Sequence, residues 1–88
     1  MHRTVIQDRE VSQDIASARK KFRMVDEAIQ AIEWTLSRNP DLGIHRSSEY
    51  WLYNQQGFKV HQIPEIVVLY SFTDDEVTFH AIVFRAAG

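Results

Sequence analysis

The sequence has no cysteine, three glycines, two prolines and no apolar run longer than the five residues Ile66–Tyr70. Without cysteine there is no disulfide framework, no thiol nucleophile, no iron–sulfur cluster and no cysteine-rich zinc site. Glycines at 43, 57 and 88 are too few and too scattered to build a phosphate-cradling loop. The longest apolar run falls far short of the roughly 18 residues of a membrane-spanning helix. The first residues offer only the apolar pair Val5-Ile6, where a secretory leader needs about 7–15 apolar residues. These absences predict a soluble, cytoplasmic protein that uses no cofactor.

What is present suffices for a folded core. Of 88 residues, 44% are apolar and 25% charged, with two Trp, three Tyr and five Phe, which argues against a disordered chain. This length predicts one domain, 1–88, burying about 60–65% of the surface its unfolded chain exposes. The net charge of −2 is unevenly spread: residues 1–40 carry seven Lys/Arg against six Asp/Glu, and residues 41–88 three against six. A protein gripping nucleic acid by its phosphates usually has a basic surface, so any such role here must rest on a few local cations.

The first forty residues carry one pattern. Val11, Ile15, Ala18, Phe22, Val25, Ile29, Ile32 and Leu36 recur every three or four positions, the spacing of an amphipathic helix. Asp8 is placed to cap its start, and Asn39-Pro40-Asp41-Leu42-Gly43 to end it. About thirty residues is long for so small a domain, which predicts two helices or one bent helix. The crowded cations Arg19, Lys20, Lys21 and Arg23 mark Ala18–Met24 as the place. Beyond Gly43 the spacing changes. Tyr50–Tyr53, Phe58–Ile63, Ile66–Phe72 and Val77–Phe84 read as strands, with turns at Asn54–Gly57 and Thr73–Glu76. Ile66–Phe72, apolar on both faces, reads as a central strand, and Thr4–Ile6 as an edge strand. The predicted class is α+β: an N-terminal strand and two helices (or one bent helix) on one face of an antiparallel sheet of about four strands.

Catalytic signatures are sparse. His2, His45, His61 and His80 show no metal-ligand spacing, and Asp74-Asp75-Glu76 reads as a solvated turn. The aromatics Tyr50, Trp51, Tyr53 and Phe58 serve packing in a thin core or stack on bases. On a strand, Lys59 and His61 would share a face about 6.5–7 Å apart. That pair could hold a phosphate and move a proton near neutral pH; two solvent-facing residues on an exposed strand would have the same spacing.

The order of elements, and several strings, resemble the RelE/ParE superfamily of toxins from type II toxin–antitoxin (plasmid-stabilisation-like) modules. The strings are Ala31–Gly43, a helix closing in Asn39-Pro40 with Gly43 nearby; Gly57–Ile63 followed by Ile66–Tyr70; and Asp74–Val77 followed by Ile82–Arg85. The resemblance implies an antitoxin partner, with Met24, Trp34 and Ala28, which lie off the main helical stripe, as a candidate groove for it. Its ribonuclease branch implies metal-independent, ribosome-dependent cleavage of messenger RNA, with Lys59, His61 and Arg85 as the catalytic candidates. That branch carries an arginine in the strand ending at Tyr70, where this chain has Val67. Its gyrase-binding branch implies inhibition of DNA gyrase through protein contacts, which suits Val67, Leu69 and the scarcity of cations. The expected function is therefore a toxin-like protein acting by target binding. RNA cleavage, a non-toxic remnant, or a small α+β homodimer enclosing a ligand are the alternatives.

Overall fold

The protein is described from a computed structural model covering residues 2–86. Strand β1 (Thr4–Gln7) leads into helices α1 (Arg9–Ala18) and α2 (Val25–Arg38), followed by a 3₁₀ turn at Pro40–Leu42. Strands β2 (Ile44–Ser47) and β3 (Tyr50–Gln55) come next, then a second 3₁₀ turn at Lys59–His61, and finally β4 (Glu65–Phe72) and β5 (Glu76–Arg85). The two helices pack on one face of the sheet. No helix among the described residues is long and apolar enough to cross a membrane.

The helical stretch divides at the expected place. A single thirty-residue helix would run about 45 Å at 1.5 Å per residue, longer than the 36 Å long axis of the molecule. The break instead lets two short stripes face one core: Val11, Ile15 and Ala18 from α1, and Val25, Ile29, Ile32 and Leu36 from α2, all buried. Met24 turns the chain with a left-handed backbone, φ 59°, a conformation that costs an L-residue about 1–2 kcal/mol. Arg19 Nε, 2.7 Å from Asp26 Oδ1, ties the end of one helix to the start of the next.

The sheet corrects the expectation in two respects. It has five strands in the order β1-β5-β4-β3-β2, and it is mixed, because β1 runs parallel to β5 while the other pairs are antiparallel. The additional strand is β2. Its residues Ile44, His45, Arg46 and Ser47 are all exposed, so no apolar alternation announces it. The segment Phe58–Ile63 is not a strand either. Phe58 and Ile63 exchange two backbone hydrogen bonds of 3.0 Å and close a loop over 59–62, with Gln62 left-handed at φ 58°. Pro64, which has no N–H, prevents that run from continuing into a ladder.

The last strand keeps both its halves on the core by a bulge. Leu69 pairs with Ala81 and Tyr70 with Phe79, leaving His80 as the extra residue. Val77 and Phe79 before it, and Ile82 and Phe84 after it, all reach the helical side. Without the extra residue, one of these pairs would turn to the other face.

Tyr70 lies in the middle of this core with no exposed surface. Its hydroxyl donates to the Pro40 carbonyl at 2.5 Å and accepts the Gly43 N–H at 3.2 Å. Burial, reinforced by the charge of Asp41, pushes its ionisation up to about 12, although the Gly43 hydrogen bond acts the other way.

Two stability predictions follow from this core. Ile29→Ala removes a buried side chain from the α2 stripe and should cost about 2–5 kcal/mol in urea unfolding. Because the unfolded tyrosine ionises near 10 and the folded one near 12, Tyr70 contributes stability that is present below pH 10 and lost as pH rises to 12. The expected slope is about 1.4 kcal/mol per pH unit. Urea midpoints measured from pH 9 to 12 should show it, and Tyr70→Phe should flatten it.

Candidate functional site

The helices cover one face of the sheet and leave the other open. Cross-strand partners share a face, so the pairings define what the open face carries. Ala81 pairs with Leu69, Leu69 with Leu52, and Leu52 with Ile44, making one apolar row across β5, β4, β3 and β2. A second row runs Val83, Val67 and Asn54. Ile44 is 66% and Val83 49% exposed, and Ala81 is exposed, whereas Leu52, Val67 and Leu69 are half-buried by their neighbours. Leu42, Ile44, Leu52, Asn54 and Val67 line a shallow groove on this face.

One end of the face is polar. His80, two residues past Thr78 on the same face, points outward, and its Nε2 lies 2.7 Å from Ser71 Oγ. The Tyr50 ring meets the imidazole edge-on, with centroids 5.3 Å apart. The sequence reading passed over Ser71 and Tyr50 as a group with His80. The signal was available in the hairpin: the turn at 73–76 pairs Ser71 with Thr78, which places position 80 diagonally beside Ser71. At the opposite end, Arg85 Nη1 lies 3.8 Å from Glu65 Oε1, and Asn54 Nδ2 donates to Glu65 Oε2 at 3.1 Å.

Two of the three catalytic candidates sit in the loop 59–62 and the third at the end of β5. Lys59 sits in the loop 59–62 and lines a cleft with Lys21, Phe22, Gln62, Ile63 and Ala86, beside the connection between the helices. His61 lies exposed in the same loop, its ring 6.5 Å from that of Phe58. Arg85 stands on the open face and is already engaged by Glu65. The strand geometry that would have aligned Lys59 with His61 is absent. Off the helical stripe, Met24 and Trp34 are exposed and Ala28 is half-buried; the Arg38 guanidinium covers the Trp34 ring at 4.1 Å.

Compared with protein-family models, curated proteins and solved structures, the chain has no significant match to any of them.

Because Lys59, His61 and Arg85 are exposed, each change to Ala should alter the unfolding free energy by less than about 0.5 kcal/mol. Chemical denaturation of the three variants checks this and qualifies them as probes of function.

Proposed function

We propose that this protein is a toxin-like component of a type II toxin–antitoxin module that acts by binding a protein target, in the manner of gyrase inhibition, and is neutralised by an antitoxin. The observation that carries this reading is the uncovered apolar row Ala81, Leu69, Leu52 and Ile44 on the open sheet face. A contiguous apolar patch left in water raises free energy unless a partner covers it. The same face is poor in the groups that phosphate recognition needs. Its Arg85 is paired with Glu65, and phosphoryl chemistry on RNA needs proton carriers and charge stabilisers at one point in space. The resemblance of the chain to the RelE/ParE superfamily supplies the class of target and the antitoxin.

The test is induced expression with and without a neighbouring reading frame that encodes an antitoxin, following DNA synthesis and translation separately. DNA synthesis should fall first and messenger RNA remain intact. A variant with Lys59, His61 and Arg85 all changed to Ala should still arrest growth, whereas Val83→Lys on the open face should not. Early loss of translation, with messenger cleavage abolished by those three alanines, would replace this reading with the ribonuclease one.

A further inference from the structure

We infer that the loop 58–63, with the helix connection beside it, docks on a bilayer that carries anionic lipid. Val60 and Phe58 enter the headgroup layer, and Lys59 and Lys21 hold anionic headgroups. Among the described residues Val60 is the most exposed of the large apolar side chains, at 90%, and Phe58 is 64% exposed. No residue of the 3₁₀ turn Lys59–His61 is buried. The loop is also prepared for a medium poorer in water. Four of its six N–H groups bond within it: Phe58 to the Ile63 carbonyl, His61 and Ile63 to that of Phe58, and Gln62 to that of Lys59. Peptide groups without such partners are costly to move out of water. A loop already closed on itself also loses little freedom on docking.

The charges select the occupant. Residues 57–64 and 18–24 contain no Asp or Glu. The fold joins these two stretches, because Lys21 and Lys59 line one cleft of about 310 Å³ with Phe22, Gln62, Ile63 and Ala86. Neither lysine has an ion-pair partner among the described residues, whereas Arg19 is held by Asp26 and Arg85 by Glu65. A nucleic acid would meet these cations but could not use Val60, which has no ring to stack on a base. A protein partner would enclose the loop in an interface core, where lysine is depleted, and would need a pocket shaped to a protruding tip. A bilayer is fluid and accepts a tip of any shape. Lysine stems lie along its apolar boundary while their ammonium groups stay among the headgroups. The apolar row of the open sheet face takes no part in this contact.

Sedimentation of the full chain with lipid vesicles tests the docking. The protein should bind vesicles of equimolar phosphatidylcholine and phosphatidylserine, bind far less to phosphatidylcholine alone, and dissociate as salt is raised. Lys21→Ala and Lys59→Ala should each weaken binding about fivefold, and Val60→Ser about tenfold. Because the chain has no cysteine, a polarity-sensitive fluorophore on Val60→Cys reads insertion directly, whether or not those variants fold. Its emission should rise and shift to the blue on the mixed vesicles. The same label on Ile6→Cys should not respond, because Ile6 pairs with Thr78, at the end of the sheet opposite Glu65 and Arg85. No binding to the mixed vesicles overturns the inference. So does equal binding to both vesicles, or binding that leaves the label at position 60 unchanged. Loss of growth arrest in Val60→Ser without vesicle binding would assign the loop to a protein partner and likewise overturn it. Vesicle binding and growth arrest by the unaltered chain are separate readouts, so lipid docking and the target-binding reading stand or fall independently.

Discussion

A hydroxyl group sealed from water must find both a donor and an acceptor, or it costs about 1–3 kcal/mol. For Tyr70 both come from one short segment, the Gly43 N–H and the Pro40 carbonyl, which join α2 to β2. Much else depends on this. The ring belongs to β4, the central strand, so its hydroxyl fixes the end of the helical layer to the middle of the sheet. Gly43 is required there for lack of a side chain: a Cβ would overlap the Tyr70 hydroxyl and the Leu52 carbonyl. The next residue, Ile44, therefore begins β2 in register with Leu52, and the apolar row of the open face acquires its last member.

Sequence and structure agree where one local rule governs many residues. The stripe from Val11 to Leu36 is a repeated vote for helix, and the volume of the domain forces its break. The string Ile66–Phe72 is apolar on both sides apart from Ser71 near its end, and it is the central strand that such a pattern describes. The failures are equally physical. Strand β2 contains one apolar residue and two ring or guanidinium cation formers, so its pairing is imposed by Tyr70 and Gly43, not by its own pattern. Phe58–Ile63 alternates as a strand would, but two non-local facts override it: Pro64 removes a ladder donor, and a Cβ at Gly57 would strike the backbone of Ile63 and Pro64. The strand face expected to align Lys59 with His61 went with that strand, because it required an extended backbone. The group Ser71, His80 and Tyr50 is spread over three strands: alternation from Thr78, opposite Ser71, already sets His80 on the open face, and the bulge adds Ala81 beside it.

That same bulge explains how a small sheet comes to be apolar on both faces. Strand β5 must send Val77 and Phe79, and then Ile82 and Phe84, to the helices. Two consecutive outward residues, His80 and Ala81, are the consequence. His80 is satisfied by Ser71, which leaves Ala81 as a shallow point beside Leu69, a depression flanked by larger apolar groups. The depression in the open face is thus a by-product of completing the core on the other side.

A sheet can associate through its edges or through its faces, and here the two are treated differently. At the β2 edge the register shifts between His45 and Ser47, the strand is only four residues long, and it carries Arg46. Irregularity, shortness and charge all discourage a further strand from adding there. His45 is also occupied, stacked on Trp51 at 4.8 Å and hydrogen-bonded to the Ser48 carbonyl at 2.6 Å. The open face has no comparable protection: along its central row no charged side chain interrupts Ala81, Leu69, Leu52 and Ile44. With the β2 edge so protected, the proposed target contact would fall on the open face, where side chains rather than backbone groups select the partner. Selection by side chains is what a specific contact requires, since backbone pairing would accept any extended strand.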